Sequence, residues 1–222
     1  MNKKIICISG KAQHGKTTTA NLMKKYLEDK DKTVLVASYA GLVKYVCKAL
    51  FGWDGKKDDA GRALLQYVGT DIVRKQDPDY WVDFLVDITE FFDKEWEYII
   101  IDDCRFPNEI NRWDDIGYDV CHVRVNRDGF ESPLTGKAQA HKSEHALDDV
   151  TPDFEIDNSG SITQLKETVE DVMKWVTGEM TEESFVQMAK AAGEFFNAIT
   201  RKFPTESVLK FFKIATEELD NY

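Results

Sequence analysis

A chain of 222 residues is long enough for one mid-sized domain with a proper core and an appendage, and its composition is that of a folded globular protein. A net charge of −11 argues against general affinity for nucleic acid or an anionic membrane. No stretch approaches the ~20 apolar residues of a membrane span, Met1–Lys4 leads straight into the first strand with no room for a signal peptide, and the isolated Cys7, Cys47, Cys104 and Cys121 read as reduced packing residues of a cytoplasmic protein.

The first apolar run, Ile5–Ile8, reads as a buried parallel strand ending at Gly10. Gly10 and Gly15-Lys16-Thr17 then fit G-x-x-x-x-G-K-[ST] without exception. Glycines let such a loop curl so that successive N–H groups point at phosphate oxygens, and the positive end of the following helix adds to the field. His14 belongs to this loop and Thr18 follows in the helix, so Gly10, His14, Gly15, Lys16, Thr17 and Thr18 are the candidate residues for binding a nucleoside triphosphate, which the resemblance given below implies to be ATP. Lys16 supplies a mobile charge for the β- and γ-phosphates, and the Thr17 hydroxyl is placed to ligate Mg²⁺.

Thr18–Lys30 is the predicted helix and Thr33–Ala37 the second strand, a right-handed βαβ opening. Ser38 is the expected cap of a helix bearing Leu42, Val43, Val46, Cys47 and Leu50 at helical spacing. A polar loop over Gly52–Asp59 follows. The pattern is helical again from Asp59 to Asp77, with Leu64, Leu65, Val68, Ile72 and Val73 inward. Arg62 and Gln66 share a face of that helix, whereas Arg74 lies away from it on an ideal helix, with Gly69 a place where the register can break. Asp77 caps and Pro78 opens the next helix, which carries Trp81, Phe84, Leu85, Ile88, Phe91 and Phe92 to about Lys94.

Tyr98–Asp103 is the third strand and ends in carboxylates, as a nucleotide-binding parallel sheet needs for the water shell of Mg²⁺. Successive side chains point to opposite faces, so the pattern leaves open whether Asp102 or Asp103 faces the metal. Arg105 and Glu109 follow at the same rim. A short helix through Ile110 and Trp113 ends near Gly117, and Tyr118–Val125 is the fourth strand, leading to Arg124 and Arg127. Residues 126–150 lack periodicity and read as a mobile loop or lid. Phe154–Asp157 is the last strand, Asn158–Ser161 a turn, and Ile162 to about Val176 a helix with Leu165, Val169, Val172 and Val176 inward. After Gly178 the character changes to two amphipathic helices, Thr181–Arg201 and Thr205–Leu219, separated by Pro204 and suited to packing or homodimer formation. His141-Lys142-Ser143-Glu144-His145 matches the H-x-x-E-H of one class of zinc peptidases, but it lacks the long apolar helix that would set both histidines on one face.

Several separated blocks carry a resemblance. Gly61–Asp71 with Arg74, Gln76-Asp77-Pro78 and Trp81, then Asp103-Cys104-Arg105-Phe106-Pro107-Asn108-Glu109, then Ser143-Glu144 and Ile156–Ser161, resemble signatures of the deoxynucleoside monophosphate kinases of bacteriophages and the bacteria carrying them. The likeness spans about residues 3–177. It implies a three-layer α/β/α P-loop kinase domain over residues 1–177 with a mainly parallel sheet, acceptor-binding helices at about 38–95 and a lid at about 126–150. Residues 178–222 form a C-terminal helical extension beyond its reach.

The implied reaction is Mg²⁺-dependent transfer of the ATP γ-phosphoryl group to a (deoxy)nucleoside 5′-monophosphate. Lys16, Asp103, Arg105 and Arg127 are then the catalytic set. Arg62, Gln66, Arg74, Trp81 and Arg105 hold the acceptor: Arg62, Arg74 and Arg105 grip its phosphate, and Gln66 and Trp81 orient or stack its base. Arg124, Asn158 and Gly160 join the ATP site, Arg124 and Arg127 approaching from the lid and Asn158 and Gly160 bordering the adenine. Thr17, Asp102 and Asp103 serve the metal, with the block's alignment favouring Asp103. Rival readings are a dephospho-coenzyme A kinase-like enzyme, against which the 61–81 block argues, a GTPase switch, for which the N-K-x-D motif is missing, and a non-catalytic assembly protein built on the C-terminal helices.

Overall fold

A computed structural model describes residues 3–92, 94–130, 134, 139–181, 183, 184 and 190. The chain divides into two compact units, Met1–Met173 and Lys174–Tyr222. The first unit holds a five-stranded, wholly parallel sheet in the order β2-β3-β1-β4-β5, formed by β1 (Lys4–Ser9), β2 (Val34–Ala37), β3 (Tyr98–Ile101), β4 (Asp119–Asn126) and β5 (Phe154–Asp157). The helices are α1 (Lys16–Glu28), α2 (Tyr39–Phe51), α3 (Asp59–Gln66), α4 (Tyr80–Phe91), α5 (Asn108–Asp115) and α6 (Ile162–Val176). This is the α/β architecture expected, and the sheet order puts β1 at the centre.

Central position explains why β1 has no polar alternation: both of its faces are covered. Ile5 and Cys7, with Ile99 and Ile101 beside them, meet Tyr39, Val43 and Cys47 of α2, Trp81, Val82 and Leu85 of α4, and Ile110 and Trp113 of α5. Ile6, Ile8 and Ile100 alternate to the opposite face and are equally buried, as are Ala20, Met23 and Leu27 of α1. All four cysteines are free and buried.

Three expected boundaries move for physical reasons. α4 starts at Tyr80, two residues beyond Pro78, because Asp77 Oδ1 accepts from the Asp79 amide at 3.1 Å and closes a turn around the proline. Its buried stripe is Trp81, Val82, Leu85, Val86 and Thr89, while Phe84, Ile88, Phe91 and Phe92 are exposed, as is Leu50 of α2. The helix after α3 does not continue as α: Tyr67–Arg74 is wound as a π-helix, with Gly69 pressed against the Val43 side chain. Finally, residues 139–150, within the expected lid, make specific contacts with the rest of the unit. Lys11 binds the Glu144 carbonyl and Asp148, the Arg124 guanidinium grips the Leu147 carbonyl at 2.7 Å as well as that of Val150, and Lys142–Glu144 forms a 3₁₀ turn.

In the second unit, Thr181 and Ser184 exchange hydrogen bonds, Thr181 N–H to Ser184 Oγ at 2.8 Å and Ser184 N–H to Thr181 Oγ1 at 3.2 Å. Apart from residues 181, 183, 184 and 190, the rest of the two expected C-terminal helices, and the homodimer contact expected of them, lie outside the described residues. Among the described residues no helix is long and apolar enough to cross a membrane.

Candidate active site

The carboxyl ends of β1 and β3 open into a cleft of about 800 Å³. Its floor is the loop between β1 and α1. Gly10 and Gly15 have φ of +139° and +103°, and a Cβ would come within 2.3 Å of the Val125 carbonyl oxygen at one and 2.2 Å of Asn158 Nδ2 at the other. Only glycine fits either place. The Asn158 amide donates to the His14 carbonyl at 2.9 Å, and the His14 Nδ1 accepts from the Arg127 amide at 3.2 Å, so both residues brace the loop from outside the cleft. Gly160 is exposed beyond them.

Lys16 is buried, and its ammonium curls back to donate to the Gly10 and Lys11 carbonyls, each at 2.8 Å. Burial, helped by Arg105, pushes its pKa down to about 8 against the pull of Glu144, Asp103 and Asp102. An incoming polyanion would restore full charge there. Thr17 Oγ1 donates to Asp102 Oδ2 at 2.8 Å, and burial holds the Asp102 carboxyl above its ordinary range. A hydroxyl and a carboxylate meeting at the carboxyl edge of the sheet are hard oxygen donors, and a carboxylate disfavoured by burial gains from a cation, so the pair fits Mg²⁺.

Asp103 is employed differently. Its Oδ1 accepts from the Tyr39 amide at 2.9 Å, and its Oδ2 accepts from the Ala40 amide at 2.8 Å and from Ser38 Oγ at 2.7 Å. A side chain from the sheet edge thus satisfies the free N–H groups of α2, and Ser38, expected as their cap, makes no cap hydrogen bond itself. The preference for Asp103 over Asp102 at the metal therefore meets a carboxylate whose oxygens are already engaged.

The acceptor-side residues reach the cleft unequally. Arg62, Gln66, Arg74, Trp81 and Arg105 all line it. Arg74 gets there because a π turn takes more residues than an α turn, so each residue of Tyr67–Arg74 advances less around the axis and the accumulated lag swings Arg74 back toward the Arg62–Gln66 face. Trp81 is only 3% exposed, and its indole N–H donates at 3.0 Å to the Gly69 carbonyl inside the π-helix. It supports that winding, and little of its ring is open for stacking on a base.

Two of the arginines arrive paired. Arg74 binds Glu109, donates to the Pro78 carbonyl at 3.3 Å and lies 4.4 Å from the Phe106 ring centroid. Glu109 is buried and also accepts from the Arg105 and Phe106 amides, the latter at 2.9 Å. Burial still lifts its pKa to about 7, against Arg74 and those amides. Arg105 pairs with Glu144. Arg124 is spent on its two carbonyls and on Glu155 at 3.6 Å, and Arg127 is exposed with its guanidinium 4.8 Å from the Phe130 ring centroid; neither lines the cleft. The H-x-x-E-H histidines are likewise occupied: His145 faces Asp148 at 3.0 Å and the Gln139 carbonyl at 3.0 Å, His141 the Ser143 hydroxyl at 2.9 Å. A 3₁₀ turn between them does not present two ligands on one helical face.

Sequence reading missed Lys44, Lys57, Glu109 and Glu144 as site residues. Glu109 and Glu144 stood inside quoted blocks without a role. Lys44 and Lys57 line the cleft and carry no spacing signal at all.

Comparison with known proteins bears on this geometry. The family model described as "Deoxynucleotide monophosphate kinase" matches residues 44–169, from α2 into α6. The deoxynucleotide monophosphate kinase of Enterobacteria phage T4 is 33% identical over 115 residues, 51% of this chain and 45% of the relative, so the chain spans about half the length of the curated relative it matches. Among solved structures, the APS kinase CysC of Mycobacterium tuberculosis in complex with AMPPNP and APS aligns over 79% of this chain and 98% of its own at 12% identity and a TM-score of 0.43. A sugar kinase from Janibacter sp. HTCC2649 aligns over 80% and 95% at 14% identity and 0.47. These distant likenesses add nothing to what the sheet order and the phosphate loop already say, whereas the family match runs over more than half of the sequence: the chain belongs to the deoxynucleotide monophosphate kinase family.

Proposed function

We propose that this chain transfers the γ-phosphoryl group of ATP to a deoxynucleoside 5′-monophosphate, giving ADP and the deoxynucleoside diphosphate. One observation carries the reading: a single cleft is lined both by Gly15-Lys16-Thr17 and by Arg62, Gln66, Arg74 and Arg105. Donor and acceptor phosphates would meet there end to end. The phage relative's name and the family match across the acceptor side support the choice of acceptor.

Moving a phosphoryl group between two polyanions needs positioning and charge neutralisation more than covalent help. The amides of the loop would cradle the β-phosphate, and Lys16 would leave the Gly10 and Lys11 carbonyls to follow the γ-phosphate. Thr17 and Asp102 would hold Mg²⁺, which supplies neutralisation of the bridging charge when bound. Arg105, paired with Glu144 and near enough to act on Lys16, would shape the wall beside the transferring group. Asp103 holds the start of α2 and so fixes the wall from which Lys44 projects.

Coupled ADP release with the eight common ribo- and deoxyribonucleoside monophosphates, and dephospho-coenzyme A as control, tests this. Turnover with at least one deoxynucleotide and none with dephospho-coenzyme A is the expected result. Turnover with dephospho-coenzyme A alone would transfer the chain to that class of kinase.

A further inference from the structure

Five cations line the cleft around the acceptor side, and they fall into two groups. Arg74 and Arg105 are each held by a carboxylate, Glu109 and Glu144. Lys44, Lys57 and the Arg62 guanidinium form no hydrogen bond or ion pair with any described residue, although the chain has 40 carboxylate side chains against 29 lysines and arginines. The acids close by have other duties, Asp102 with Thr17 and Asp103 with α2. Three like charges gathered with no carboxylate in ion-pair contact, only the more distant Asp102 and Asp103, repel one another, so the fold must hold them there.

It does so with a built loop. Gly52 ends α2 in the left-handed conformation, and the Trp53 amide returns to the Cys47 carbonyl at 3.1 Å. The Trp53 indole donates to the Lys56 carbonyl at 2.9 Å, Asp54 accepts from the Lys56 amide at 2.9 Å, and Asp58 caps α3 by accepting from the Gly61 amide at 2.8 Å. The loop lies so close on α3 that a Cβ at Gly61 would be 2.0 Å from the Lys56 carbonyl oxygen. The loop backbone thus carries Lys57 to the cleft that Lys44 of α2 and Arg62 of α3 also line. Lys57 stays exposed to solvent; partial desolvation, then Lys44 and Arg62, lower its pKa while Asp102 and Asp103 act on it in the opposite sense, and Lys44 acts in turn on Asp102, so both lysines are within electrostatic reach of the Thr17–Asp102 corner.

We infer that Lys44, Lys57 and Arg62 form the subsite for the acceptor's 5′-phosphate, with Arg74 and Arg105 serving as paired members of the wall that shapes it. The inference rests on the kinase reading and goes further, assigning the monophosphate grip to two lysines that no motif marks. A phosphate monoester dianion suits the trio in charge and donor number: two point charges and one planar fork would answer its three exposed oxygens. Its position next to Thr17 and Asp102 puts that phosphate beside the group to be transferred.

Equilibrium titration of the full chain with each of the four common deoxynucleoside monophosphates, in Mg²⁺ and AMPPNP, provides the test. Lys44→Met and Lys57→Met should each weaken the best-bound monophosphate by about tenfold or more, as loss of a hydrogen bond to a charged group does. Affinity for AMPPNP alone should stay within about twofold, unfolding temperatures should not fall, and Lys57→Arg should restore most of the binding. Unchanged monophosphate affinity in both variants would overturn the inference and leave the kinase reading standing. A parallel loss of AMPPNP affinity would also overturn it, by assigning the trio to ATP. Failure of the wild type to bind any of the four would remove the kinase reading itself.

Discussion

The two walls of the cleft are built from similar residues in opposite electrostatic states. On the wall formed by the π-helix, α5 and residues 142–144, each guanidinium comes with its carboxylate, Arg74 with Glu109 and Arg105 with Glu144. On the wall formed by α2, the 52–58 loop and α3, Lys44, Lys57 and Arg62 have none among the described residues. A cation already neutralised in a buried pair holds elements together, and removing its partner leaves an uncompensated charge. A cation held in a cleft without a partner is ready for a ligand. Residue type and proximity to the cleft therefore do not assign function here; the state of pairing does.

The largest expected effect lies on neither wall but between them. Lys16→Ala should lower kcat by about a hundredfold to a thousandfold with the fold intact, as loss of one preorganised donor to developing charge does. Single-turnover rates beside circular dichroism measure both, and near-wild-type turnover would reject the mechanism. The paired wall should answer in stability: Glu109→Ala strands Arg74 and should cost about 3–5 kcal/mol in urea unfolding. A cost below 1 kcal/mol would show that the pair is not structural.

The adjacent aspartates sharpen the contrast within one turn of chain. Asp102→Asn should reduce apparent Mg²⁺ affinity or activity by about tenfold to a hundredfold. Asp103→Asn should mainly lower stability, by about 0.5–2 kcal/mol, through the weakened cap of α2. Exchange of those two phenotypes would reverse the assignment.

The last effect is in pH. With Lys16 lowered to about 8, kcat/KM for ATP should fall above about pH 8 as the free enzyme loses that charge. The sign for stability is opposite. A lysine whose folded pKa lies below its ordinary 10.5 penalises the folded state most below pH 8, and the penalty fades between about 8 and 10.5. The wild type should therefore gain on Lys16→Met across that window in chemical denaturation, and a constant difference would contradict the shift.

Much of this was legible in the residues. The apolar run before Gly10, the G-K-T at 15–17 and the acids after Ile101 each follow from local chemistry, and the structure places them at one edge of a parallel sheet. What was not legible depended on how elements meet. Asp102 and Asp103 could not be told apart because the strand ends at Ile101, so alternation no longer governs them, and the free amides of α2 claim Asp103. Arg74 was off-face on an ideal helix and is brought round by a π winding that no spacing rule anticipates. Trp81, expected with Gln66 to orient or stack the base, lines the cleft but also braces the winding through its N–H to the Gly69 carbonyl, a contact no spacing reveals. Lys44 and Lys57 become neighbours only when the 52–58 loop folds back on α3.

The central claim is that the cleft brings two nucleotides together for transfer, and following the phosphorus itself tests it most directly. Wild-type protein given γ-labelled ATP, Mg²⁺ and the deoxynucleoside monophosphates should place the label in a deoxynucleoside diphosphate. Label recovered only as inorganic phosphate, or left on ATP, would contradict the account.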